Sequence, residues 1–250
     1  MSDEYDFAKI FADAFYQCLF ENKNSNLYLI GTCHGDPKGK ERLNRALNRL
    51  NPDILTIEYN DEAYNSKKPQ IKELVNVLEN AFYDVGLGQE YQESKEAFNQ
   101  SINPFELDVL KNYSIENNIP LHYIDSKEGT IKNYDRMIAE FHNVILLLKQ
   151  RPEVLQNTLN VMKTGNQNSD LVYGDKLVNF GLENSRQIFQ GRDSYQASKL
   201  NELVKENPKK RIVHVGGLLH MVKDHLNENL YSILTNNFGL KPEVKRLNEY

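Results

Sequence analysis

Two apolar runs far apart in the chain end in the same way. "NLYLIG", residues 26–31, leads into Gly31-Thr32-Cys33-His34, and "RIVHVGG", residues 211–217, leads into Gly217-Leu218-Leu219-His220. A short apolar run closed by a small-residue turn reads as a buried strand. Between them, "DILTIE" ends on Glu58 and "NIPLHYID" ends on Asp125, while "KERLNRALNRL" has helical spacing. Strands alternating with helices define an α/β chain with a mostly parallel central sheet flanked by helices. In such sheets the crevice beyond the carboxyl ends of the strands is where ligands bind. If the strands are parallel neighbours, His34, Glu58, Asp125 and His220 meet on one edge.

The remaining pattern fits one domain over 1–250. Phe7, Ile10, Phe11, Ala14, Phe15, Cys18 and Leu19 have helical spacing, so residues 1–22 are expected to form an amphipathic helix docked by one face. Residues 70–84 continue as helix, and "GLGQEYQESKEAFNQ" opens another helical pattern that Pro104 interrupts. From about 131 to 207 the spacing is helical with breaks at Pro152, "KTGNQNSD" and Gly181, a helical insertion or cap on the sheet. "GLKPEVKRL" is expected to add a last strand.

Charge narrows the function classes. A formal net charge of −5, with both signs interspersed, lacks the basic stripe of a nucleic-acid binder. Two cysteines in 250 residues make no disulfide framework, and no apolar run reaches the length of a membrane span. The expectation is a cytoplasmic protein with a small-molecule or peptide substrate, no nucleic acid and no membrane; its oligomeric state is open.

The turn "GTCHGDPKGKE" invites two chemistries. A phosphate loop needs Gly, four residues, then Gly-Lys-Ser/Thr. Here Gly35 and Gly39 are one residue too close, Glu41 replaces the hydroxyl, and Pro37 removes an amide donor. Imidazole and carboxylate are instead the usual ligands of Zn²⁺ or Mn²⁺ and the usual general acids and bases. Two strand-turn-histidine motifs with Glu58 therefore make His34, Glu58 and His220 the candidates for catalysis and for a divalent metal. Asp36 is a candidate to orient His34 or meet substrate, and Gly31 and Gly217 are expected to let the backbone turn sharply. His214 and His122 lie inside strands and read as core or sheet-face residues; His142 reads as packing, His225 as exposed, and Cys33 as a small wall residue.

In order along the chain, "LIGTCH", "PDILTIEYN", "GLGQEYQESKEAF", "NNIPLHYID", "GRDSYQASKL" and "RIVHVGGLLHM" resemble the motifs of the TraB/PrgY–GumN–Tiki superfamily, which is related in fold to ChaN-like and erythromycin-esterase-like proteins. The resemblance runs from about residue 27 to 221. It implies a metal-dependent hydrolase of peptidase or esterase type, with Zn, Mn or Co, in which Arg192 stabilises developing charge and Glu90 and Asp125 lie at the substrate-binding periphery. The chain departs from the family at Arg192-Asp193, where the pattern is Arg-Asn, and at Gln196, where Met is common. A non-catalytic ligand- or signal-binding protein using the same cleft is the alternative reading.

Overall fold

The computed structural model describes residues 26–33, 36, 38–92, 95, 105–151, 153, 191–222 and 229–250. The expected N-terminal helix with Cys18, His34, His225 and the middle of the 131–207 block lie outside them.

The elements run β1 (Leu27–Thr32), α1 (Gly39–Leu50), β2 (Ile54–Ile57), α2 (Asp61–Asp84), α3 (Phe105–Asn117), β3 (Leu121–Tyr123), α4 (Lys127–Gln150), α5 (Arg192–Glu206), β4 (Ile212–Gly217), α6 (Leu218–Met221), α7 (Leu230–Phe238) and β5 (Glu243–Arg246). A 3₁₀ turn, Leu247–Glu249, follows. The five strands form one sheet in the order β3-β2-β4-β1-β5, and every pairing is parallel. The fold is thus α/β, as the alternation of strands and helices implies, and the tail does supply a strand. β1 and β2, consecutive in the chain, run parallel but are not neighbours. β4 lies between them, pairing Ile212 with both Leu27 and Ile54.

The strands alternate as the pleat demands, with successive side chains on opposite faces. Ile30, Leu55, Ile57, Val213 and Val215 pack with Leu43, Ala46 and Leu47 of α1 and with Phe105, Leu107, Val109 and Leu110 of α3. Leu27, Leu29, Ile54 and Ile212 face Ala197 and Leu200 of α5 and Leu230, Ile233 and Leu234 of α7. Of the expected helical block, α4 lies along α2, sharing Ile145 and Leu148 with Leu74, Leu78 and Phe82, whereas α5 lies directly on the sheet. Losing one such buried leucine to alanine costs about 2–5 kcal/mol.

Local signals set the helix starts just past the strand ends. Asn60 caps α2 by accepting from Ala63 N, and Ser126 caps α4 by accepting from Gly129 N. Gly239 ends α7 in the left-handed conformation that glycine adopts at least cost. Among the described residues no helix is long and apolar enough to cross a membrane.

Candidate functional site

Parallel pairing puts Thr32, Glu58, Asp125 and Gly217 at the same edge of the sheet. Glu58 is the first residue after β2, and its backbone N–H donates to Val215 O (3.4 Å). Its carboxylate leans over β4: Oε1 accepts from Gly217 N at 2.9 Å. A Cβ on Gly216 would lie 2.7 Å from Glu58 Oε2 and 2.7 Å from Met221 Cε, so a side chain there would push that carboxylate or the Met221 methyl aside. At Gly217 the backbone is extended (φ −60°, ψ 135°), and any residue could adopt it. The sharp turn expected there is therefore not what Gly217 supplies; its part is an N–H for Glu58.

Gly31 has a packing role too. A Cβ there would meet Leu218 Cδ1 at 2.5 Å and Leu218 Cα at 3.1 Å. The first Gly-x-x-His turn thus makes space for the second.

His220 sits on the short α6 with 6 % of its surface exposed. Its Nδ1 lies 2.7 Å from Asp193 Oδ1, and its Nε2 lies 3.8 Å from Glu58 Oε2. Asp193, fully buried, also accepts from Leu230 N at 2.7 Å through Oδ2. Burial alone would push His220 down, but the Asp193 and Glu58 carboxylates outweigh it and hold the imidazole above its ordinary pKa.

A second carboxylate group lies next to this one. Asp125 is buried, with Oδ2 accepting from Arg192 Nε (2.9 Å) and Thr130 Oγ1 (2.7 Å), and Oδ1 accepting from Ser126 N (2.9 Å). Arg192 also reaches Glu58 O through an Nη at 3.4 Å, tying the two groups together. Gln196, one turn on in α5, donates to Asp125 Oδ1 at 3.4 Å.

The structure thus brings Glu58, Asp125, Arg192 and His220 together. Asp36 stands apart from them in its contacts: fully buried, it pairs with Arg42 (2.9 Å), accepts from Lys38 N and bonds through its backbone to Cys33 O and Gly39 N. It shapes the turn after β1. Glu90 lies in a helical segment at 88–92, half-buried, flanked by Leu87 and Tyr91 of the α2–α4 cluster. His122 and His142 are exposed, so the packing role expected for His142 is not found; its Nδ1 bonds Ile138 O on its own helix. Sequence reasoning passed over Asp193 as a site residue, although it makes the shorter of the two carboxylate contacts to His220. His214, expected as a core or sheet-face residue, is fully buried.

Do these residues suit a metal ion? Neutral His220, with its Nδ1–H donated to Asp193, turns the Nε2 lone pair towards Glu58 Oε2. Two acceptors facing each other can hold a proton or a cation between them. Glu58 Oε2 and His220 Nε2, 3.8 Å apart, are the two atoms here that would hold such an ion. Among the described residues no set of three His, Cys, Asp or Glu side chains has metal-holding geometry. Glu58 and His220 supply two donors, and His34, the expected third, lies outside the described residues.

Fold and site together define an all-parallel α/β protein with a buried carboxylate–histidine–carboxylate row at the carboxyl edge of its sheet. No protein-family model, curated protein or solved structure matches the chain.

Proposed function

We propose that the chain is a metal-dependent hydrolase of peptidase or esterase type on the TraB/PrgY–GumN–Tiki plan, with His220, Glu58 and His34 holding a divalent ion such as Zn²⁺, Mn²⁺ or Co²⁺. One observation carries the reading: Asp193 takes His220 Nδ1 and leaves Nε2 3.8 Å from Glu58 Oε2. A carboxylate behind a histidine is the usual support of a metal-binding imidazole. The ion supplies Lewis acidity and lowers the pKa of a water towards 7.

The protein's own groups do the rest. Glu58, held through Oε1 by the Gly217 N–H, keeps Oε2 aimed into the site to bind the ion or to accept the proton that the attacking water gives up. That proton then passes to the leaving group as the acyl bond breaks. Arg192, fixed by Asp125 and by Glu58 O, has further N–H groups to place against the oxyanion of an ester or amide. Asp125 keeps the guanidinium in place, and Thr130 and Gln196 keep Asp125 in place.

The test is a panel of ester and peptide substrates assayed with Zn²⁺, with Mn²⁺ and after chelation. Metal-dependent turnover that falls by at least 10²-fold in Glu58→Gln supports the hydrolase. Absence of turnover across the panel, with ligand binding still dependent on His34 and His220, overturns it in favour of the binding protein.

A further inference from the structure

One buried histidine remains without a task in that scheme. His214 lies inside β4, opposite Thr56 of β2 in the sheet register. Both are fully buried, and Thr56 Oγ1 lies 2.9 Å from His214 Nδ1. Side chains two residues apart on a strand share a face. His214 therefore shares its face with Gly216, and Thr56 shares the same face with Glu58.

The space above Gly216 is where the Glu58 carboxylate rests, with the Gly216 Cβ position 2.7 Å from Oε2. The imidazole thus occupies the sheet row directly beneath that carboxylate. Its Nε2 is buried with no hydrogen-bond partner among the described residues. Such an atom is costly to leave unsatisfied, and apolar residues fill the neighbouring positions of this face at Ile212, Leu29 and Ile54. Glu58 is also the strongest charge acting on the His214 ring.

We propose that His214 is a positioning residue for Glu58: Thr56 locks the ring through Nδ1, and Nε2, which has no hydrogen-bond partner among the described residues here, is the group in the row beneath that takes up the carboxylate when Glu58 ligates a metal. The inference rests on the metal reading above and deepens it. Groups that hold a ligating carboxylate or imidazole in place typically matter 10- to 100-fold in metal affinity.

Gln and Asn separate the two nitrogens. A glutamine amide nitrogen falls near imidazole Nε2, and an asparagine amide near Nδ1. Zn²⁺ affinity of the full chain is measured by competition with a chromophoric chelator, alongside a thermal melt. His214→Gln is expected to bind within about 3-fold of the wild type, and His214→Asn to bind about 10- to 100-fold more weakly. Thr56 gives a second pair in case His214→Asn fails to fold. Thr56→Ser keeps the lock and the affinity, whereas the isosteric Thr56→Val frees the ring and weakens Zn²⁺ binding while the chain still melts cooperatively. A wild type that binds Zn²⁺ with folded His214→Asn or Thr56→Val binding equally well overturns this inference alone. A wild type that binds no Zn²⁺ overturns it together with the proposed function.

Discussion

Asp193 accepts from two partners at 2.7 Å each, from His220 Nδ1 through one carboxylate oxygen and from Leu230 N through the other. An asparagine has a single acceptor oxygen and serves one of them. The aspartate that breaks the Arg-Asn pattern of the resembling family therefore has a physical reason here: it joins the site histidine to the first turn of α7. Asp193→Asn is expected to leave one buried donor unmet, at about 1–3 kcal/mol. It should also lower the His220 pKa, because the carboxylate that favours the imidazolium is gone. The sign follows from linkage: a histidine raised in the folded state adds stability below its unfolded pKa, and loses it as pH rises through the folded value. The variant's deficit should accordingly be larger at pH 5 than at pH 9. Imidazole NMR titration and urea unfolding at the two pH values read both effects.

His214 has the opposite sign. Burial pulls it down to about 4, against the smaller upward pull of Glu58. The unfolded chain binds its proton at about pH 6.5 and the folded chain only near 4, so stability falls as pH drops through that window. The loss attributable to His214 is roughly 3 kcal/mol. Urea unfolding between pH 7 and pH 4.5 should show a steeper fall in the wild type than in His214→Gln, which has nothing to protonate. Equal slopes would place the acid sensitivity elsewhere.

The two adjacent glycines of "GGLLH" should differ sharply. At Gly216 an added Cβ meets the Glu58 carboxylate at 2.7–2.8 Å, and at Gly217 it meets His220 and Glu58 only at 3.3–3.4 Å. Gly216→Ala is expected to cost about 1–3 kcal/mol by overpacking and to displace Glu58, and Gly217→Ala about 1 kcal/mol or less. Thermal melts give the order of stability, and divalent-ion affinity should follow it.

Arg192 holds Asp125 and Glu58 O with two different nitrogens, a fork that lysine lacks. Arg192→Lys keeps the charge beside Asp125 but loses the second contact. Turnover should fall about 10²–10³-fold, the effect of removing one well-placed donor at a developing oxyanion. Metal affinity should change little. Arg192→Ala leaves a buried carboxylate unpaired, so its larger loss, about 3–5 kcal/mol of stability, speaks to folding first.

The sequence made some of this legible and hid the rest for physical reasons. Strand ends could be read because an apolar run stopping at a charged or glycine turn is a local signal; Glu58, Asp125 and His220 were found that way, and Arg192 by resemblance. Strand order could not, because the placement of β4 between β1 and β2 depends on pairings across more than half the chain. Helix α3 escaped because it is buried at Phe105, Glu106, Leu107, Val109, Leu110 and Tyr113, on more than one side, and so carries no clean apolar stripe. Asp193 read as an altered charge until its two acceptor bonds were placed. His214 read as a core histidine, and its nearness to Glu58 comes only from the register of β2 on β4.

The central claim is that Glu58 and His220 share one divalent ion. Equilibrium dialysis of the purified chain against Zn²⁺ and Mn²⁺, with bound metal counted by mass spectrometry, tests it directly. Close to one ion per chain is expected in the wild type, with loss of that ion in His220→Ala and in the His34→Ala/His220→Ala double variant while both still fold. A folded wild type that retains neither metal, or a folded His220→Ala that retains as much as the wild type, contradicts it.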